Sequence, residues 1–150
     1  ATPGGRVRIF ACHLQTTGVS SMEYRYAKDY GVRFVPFGAL SEELTRNTRL
    51  RAQQASEISR MAENSPHPVI MAGDFNDIPS TYTYGIVARR LDDTFREGGS
   101  GWGGTYRRAL GVLRLDYIFV SEGLLCPRCY TLDTGLSDHK PVFAALNFKK

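Results

Sequence analysis

The chain has 150 residues, of which 42% are hydrophobic and 23% charged, with a net charge of +4. A chain of this length can bury roughly 70% of the surface its unfolded form exposes, and this composition excludes a disordered or fibrous protein. No uninterrupted apolar stretch approaches the ~20 residues that cross a bilayer, and the first residues, Ala1-Thr2-Pro3-Gly4-Gly5-Arg6, lack the apolar core of a secretory signal.

In chain order, the apolar run from Arg6 to Leu14, opened by two glycines, predicts a strand. Gly18 to Phe37 reads as a short helix and loop rich in Tyr and Phe. A long helix follows, with Ser41 as its N-cap, Glu42 and Glu43 in its first turn, and Leu44, Ala55, Ile58 and Ala62 on one stripe. It stops before Ser65-Pro66-His67-Pro68, because proline terminates helices. His67, between two prolines, reads as a loop residue.

Pro68 to Ala72 predicts a buried strand running into Gly73-Asp74-Phe75-Asn76-Asp77-Ile78-Pro79-Ser80. Tyr82 to Leu91 reads as a helix, Gly98 to Gly104 as a loop around Trp102, and Leu113 to Val120 and Lys140 to Phe148 as strands. Strands alternating with helical segments predict an α/β class with helices packed on sheets.

Charge and cysteines add little. The positive charge is mostly Arg, since only Lys28, Lys140, Lys149 and Lys150 carry ammonium groups; guanidinium forks suit phosphate and carboxylate oxygens, but a net charge of this size does not indicate a nucleic-acid binder. Cys12 reads as a small hydrophobe within a strand. Cys126-Pro127-Arg128-Cys129 has the spacing of a zinc or redox pair, but no second ligand pair accompanies it, and it is expected to be a loop.

Polar residues collect at the ends of the apolar strands: His13, then Asp74 with Asn76, then Asp116, then Ser137-Asp138-His139. Any one of them alone reads as a turn residue or cap. Jointly, two His, three Asp and one Asn delivered from strand edges can converge at one end of a sheet, where ligand sites of layered α/β folds gather.

Gly73-Asp74-Phe75-Asn76, Leu115-Asp116-Tyr117-Ile118-Phe119 and Ser137-Asp138-His139-Lys140-Pro141-Val142, in this order, resemble the endonuclease/exonuclease/phosphatase superfamily. His13-Leu14 after a strand matches a fourth motif, and the match runs from Val7 to Phe148. Tyr82-Thr83-Tyr84 and Gly104-Thr105-Tyr106 resemble a bacterial branch often tethered to membranes. The resemblance implies part of a four-layer α/β sandwich, with mixed β-sheets flanked by helices.

It also implies a phosphoesterase dependent on Mg²⁺ or Mn²⁺. Such chemistry needs an in-line water, a counter-charge for phosphorus oxygens, and help for the leaving oxygen. Asp74 would hold and activate the water, Asn76 would donate to the nucleophile or phosphate, and His13 would contact phosphate. His139 would bind a nonbridging oxygen or shuttle a proton, with Asp116 fixing its charge or tautomer. Asp138 would be a hard oxygen ligand for the metal. Read from the residues themselves, Trp102, Tyr106 and Arg107, with Arg108, in the loop from Glu97 to Leu113, are candidates to stack on a base or hold an anionic head group, and Trp102 reads equally as a cover for the core edge. The substrate classes left open are nucleic acid, phosphoinositide and phospholipid head group.

Relatives carry an Asn and a metal-binding Glu upstream of the His-Leu motif. Glu23, Glu42 and Glu43 all follow His13 and do not match that Glu. The expectation is therefore a C-terminal portion of the family's domain, possessing the Asp/Asn/His half of the site, whose partner is the missing N-terminal half or a second copy. A non-catalytic module that grips phosphate or a partner is the alternative.

Overall fold

A computed structural model describes residues 5–31, 34–108 and 110–149. The elements are β1 (Arg8–His13), α1 (Val19–Tyr30), α2 (Phe37–Glu63), β2 (Val69–Asp74), α3 (Tyr82–Ala88), β3 (Asp92–Asp93), α4 (Thr94–Gly98), β4 (Asp116–Val120), β5 (Leu124–Thr131) and β6 (Val142–Phe148). A four-stranded mixed sheet has the order β1-β2-β4-β3, and β5 and β6 form an antiparallel pair. β1 runs parallel to β2 and β4 antiparallel to it. The α/β class expected from the sequence, a mixed sheet flanked by helices, is thus the class observed.

The core forms where α2 and α3 lie against the mixed sheet. Val69 and Met71 alternate inward along β2, Tyr117 and Phe119 along β4, and Ala55 and Ala62 of α2 close over them with Tyr84, Ile86 and Val87 of α3. Alternation with period two in strands and a stripe in a helix is what directs these side chains to one face. Phe75 and Phe119 meet edge-on at 5.3 Å, and Phe75 and Tyr117 at 5.5 Å, so the aromatic layer starts directly behind the end of β2.

Two expectations are corrected. α2 begins at Phe37, after Pro36, and not at Ser41; the Ser41 hydroxyl instead donates to the Gly38 carbonyl at 2.8 Å inside the first turns. Pro36 has a φ of −56° and an extended ψ of 138°, which sets the chain at the helix entrance without a side-chain cap. Leu44 is only half-buried and Asn47 and Arg51 take the inward face above Ala55.

The second correction concerns Cys126 and Cys129, which lie in β5 and not in a loop. Pro127 argues against a strand, but the ladder shifts register between Leu125 and Arg128 and so accommodates a residue without an N–H. Both cysteines are buried and free, and burial pushes both thiols up, away from reactive thiolate. They pack beneath α4, with Cys129 Sγ 3.5 Å from the Thr94 hydroxyl. No helix among the described residues is long and apolar enough to cross a membrane.

Candidate active site

Strand register assembles the site. His13 is the last residue of β1 and pairs across the ladder with Asp74, the last residue of β2. Asp74 in turn pairs with Asp116, the first residue of β4. His13, Asp74 and Asp116 therefore form one row across the edge of the mixed sheet. His13 Nε2 stands 3.7 Å from Asp74 Oδ2.

Immediately after β2 the chain turns. Asn76 has a φ of 50°, the left-handed conformation that Asn tolerates better than most residues. Its N–H donates to Asp74 Oδ1 at 2.8 Å, and its side-chain amide donates to the Leu14 carbonyl at 3.0 Å. Asn76 thus fixes one oxygen of Asp74 and ties the turn to the chain that follows β1. Asp74 Oδ2 is left facing the two imidazoles.

His139 arrives from the segment between β5 and β6. An isolated bridge pairs it with Tyr106, whose ring lies 5.0 Å from the imidazole, and the Lys140 N–H donates to the Thr105 carbonyl at 2.7 Å. Its Nδ1 shares a 2.7 Å hydrogen bond with Asp116 Oδ2, and its Nε2 points toward Asp74 Oδ2 at 4.0 Å. Asp116 is held by the buried Thr105, whose hydroxyl accepts from the N–H groups of Leu115 and Asp116 at 3.0 and 3.1 Å.

The electrostatics follow from this crowding. Burial is the largest influence on Asp74 and pushes its carboxyl up; the Asn76 N–H opposes this, the Asp116 charge adds to it, and the net shift is upward. For His139, burial would lower the pKa, but the hydrogen bond and charge of Asp116, with Asp74 and Asp138 behind them, outweigh it. The imidazolium is therefore favoured up to a higher pH than in an unperturbed histidine.

These groups share one cavity of about 810 Å³, lined among others by His13, Thr16, Arg51, Asp74, Asn76, Asp77, Tyr106, Asp116, Asp138 and His139. The structure thus brings His13, Asp74, Asn76, Asp116 and His139 together, with Tyr106 on the wall. Asp138 lies on the same lining, half-exposed, with Oδ2 3.7 Å from Arg108 Nε.

Trp102 and Arg107 are not part of this lining. Trp102 is 87% exposed, so it does not cover the core edge. Arg107 pairs with Asp133, and its N–H donates to the Asp138 carbonyl, so it braces the segment that bears His139. Sequence reasoning missed Thr105, Asp77 and Arg51. The signal for Arg51 was an arginine at the period-four position before Ala55, on the helix's inward stripe.

Asp74, Asp116 and His139 each offer one ligand atom, and these atoms lie within 4.8 Å of one another. The carboxylates of Asp74 and Asp116 suit a divalent cation, and the Asp116 charge, which adds to the effect of burial in raising Asp74, is a repulsion that a cation relieves. The donor set fits such an ion; Asp138 lies outside this group.

The model of the Endonuclease/Exonuclease/phosphatase family matches residues 8–139. Among curated proteins, none matches significantly in sequence. An endonuclease/exonuclease/phosphatase from Bacteroides vulgatus is similar in structure, with a TM-score of 0.60 and 24% identity over 69% of this chain and 46% of its own. A mannosyl-6-phosphatase from Bacteroides thetaiotaomicron has a TM-score of 0.50 and 22% identity over 67% of this chain and 46% of its own. Beta toxin from Staphylococcus aureus has a TM-score of 0.55 and 19% identity over 97% of this chain and 54% of its own. This chain thus spans about half the length of the solved structures it matches.

Proposed function

Since the chain belongs to the endonuclease/exonuclease/phosphatase family, we propose that it carries the Asp/Asn/His half of a phosphoesterase site that hydrolyses its substrate with an activated water. The observation that carries this reading is the Asp116–His139 hydrogen bond beside Asp74, in one cavity at the edge of the sheet. A solved structure that is similar is described as a mannosyl-6-phosphatase, which agrees with phosphoester chemistry.

In this reading Asp74 Oδ2 holds the attacking water and accepts its proton, while Asn76, through its backbone N–H on Oδ1, keeps the carboxylate turned. Asp116 fixes His139 with Nε2 directed into the cavity, and the imidazolium neutralises a phosphate oxygen or protonates the leaving oxygen. His13, 76% exposed at the mouth, is a second phosphate contact. A divalent ion, Mg²⁺ or Mn²⁺, would be held by Asp74 and by the Asp116 oxygen that His139 leaves free, with Asp138 on the rim. When bound it supplies charge to the phosphoryl oxygens. The remaining ligand and the rest of the cavity belong, in this proposal, to the portion of the family's domain outside these 150 residues.

The test is hydrolysis of bis(p-nitrophenyl) phosphate by the longest form of the protein, with Mg²⁺ added. Asp74→Ala or His139→Ala is expected to lower the rate on the order of 10²-fold or more, the range of a lost acid–base group. Equal rates in parent and both variants discard these roles, and phosphate binding without turnover leaves the binding-module alternative.

A further inference from the structure

The inward face of α2 turns polar as it reaches the cavity. Its buried positions run Asn47, Arg51, Ala55, Ser59 and Ala62, and the first two meet the segment that follows β1. Asn47 Nδ2 donates to the Thr17 carbonyl at 2.9 Å, Arg51 Nη1 to the Gln15 carbonyl at 3.0 Å, and the Gln15 N–H to Gln54 Oε1 at 2.8 Å. Helix side chains thus satisfy backbone groups of a loop just beyond the reach of the ladder.

Arg51 does more than hold this loop. It is 4% exposed; its Nε donates to Asp77 Oδ2 at 3.3 Å and its Nη2 to the Thr48 hydroxyl at 3.3 Å. Asp77 stands three residues after Asp74, and its carbonyl accepts from the Tyr117 hydroxyl at 2.7 Å. All three guanidinium nitrogens are therefore engaged within the protein: one on the loop after β1, one on the loop after β2, one on its own helix. Although Arg51 lines the cavity, three of its five N–H donors are spent on holding the walls.

We infer that Arg51 is a positioning residue, whose fork locks the loop after His13 to the loop after Asp74 beyond the reach of the ladder and of the Asn76–Leu14 bond, and so holds the two loops in the alignment the site needs. Its effect on rate rests on the phosphoesterase reading; the clamp itself rests on these contacts alone. A lysine keeps the charge but concentrates its donors on a single nitrogen, which does not reproduce the fork. A displacement of about 1 Å in such a site lowers turnover about 10²-fold.

The decisive variants are Arg51→Lys and Arg51→Gln in the longest form of the protein, read by amide hydrogen exchange and by kinetics on bis(p-nitrophenyl) phosphate. Exchange is expected to quicken together at Gln15–Thr17 and at Asn76–Ile78, while β2 and β4 keep the parent's protection. The kcat of Arg51→Lys is expected to fall about 10²-fold with KM within about threefold, the pattern of lost transition-state alignment. Adding Asp77→Asn to Arg51→Lys should lower kcat little further, because both act on one contact. Parental exchange in both loops overturns the clamp, as does a raised KM with kcat intact, which makes Arg51 a substrate contact. Loss of the folded circular dichroism spectrum in both variants also overturns it, since Arg51 is then a requirement of the fold. If His139→Ala is as active as the parent, the phosphoesterase reading fails, and exchange alone still decides the clamp.

Discussion

A histidine beside a carboxylate titrates differently from one in water, and the Asp116–His139 pair makes that difference measurable. His139 is about three-quarters buried and its net shift is upward. A histidine whose folded pKa lies above its unfolded value stabilises the protein fully below the unfolded pKa, near 6.5, and loses that contribution as pH rises through the folded pKa. Asp116→Asn removes the charge that drives the shift. In metal-free protein, the NMR titration of the His139 ring should then move to lower pH than in the parent. The stability gap between parent and variant in urea should be wider near pH 5.5 than near pH 8.5, on the linkage sign above. A His139 titration unmoved by the substitution removes Asp116 as its partner.

At the scale of elements, the placement of Asp74 depends on how closely β1 and β2 approach. Gly73 has a φ of +146°, a conformation L side chains rarely adopt, and a Cβ there would run into the Cys12 carbonyl oxygen. The contact is with backbone of the neighbouring strand, so relief requires the strands to part. Gly73→Ala is expected to destabilise the protein by about 3 kcal/mol or more, the upper range for steric and backbone strain in a core element. Urea denaturation measures this, and a variant as stable as the parent shows that β1 and β2 are less tightly joined than the ladder indicates. The opposite edge of the sheet is anchored electrostatically. The buried pair Arg114–Asp93 closes at 2.7 and 2.8 Å, with Arg114 lying over the rings of Phe95 and Tyr117. That anchor fixes the short β3–α4 corner against β4.

At the scale of the molecule, the described residues leave β1 as the outer strand of the mixed sheet, with Ile9 66% exposed upon it. Open strand edges and uncovered apolar faces invite pairing. The chain also spans 46% of the Bacteroides vulgatus structure it resembles. The proposed dependence on metal is tested in the longest form of the protein. Chelation with EDTA should abolish hydrolysis of bis(p-nitrophenyl) phosphate, and Mg²⁺ or Mn²⁺ in excess should restore it. The 150-residue chain alone should be much slower under the same conditions. Undiminished hydrolysis after chelation refutes the metal dependence.

How much of this was legible beforehand differs from residue to residue. Short motifs at strand ends identified His13, Asp74, Asn76, Asp116 and His139, because an apolar run that ends in a polar residue states both the strand and where its end lies. The strands of the core and the long helix were equally plain, since burial imposes a period that survives in the sequence. β5 was hidden by Pro127, which argues against a strand unless the ladder shifts register to admit it. Arg51 and Thr105 were hidden because their partners, Gln15 and Asp77 in one case and Leu115 with Asp116 in the other, are backbone groups and distant side chains. Trp102 is an aromatic near arginines in the sequence, yet its side chain is exposed to solvent.

The sequence by itself determined the strand-and-helix pattern, the family resemblance and the identity of most polar groups in the cavity, because residue type and local period follow directly from what each position must bury. Only the tertiary structure decided which of them share a row across the sheet, that Asp116 engages His139, and that an arginine from a distant helix ties two loops together. Those facts depend on register and on contacts between segments far apart in the chain, which leave no local mark on the residues involved.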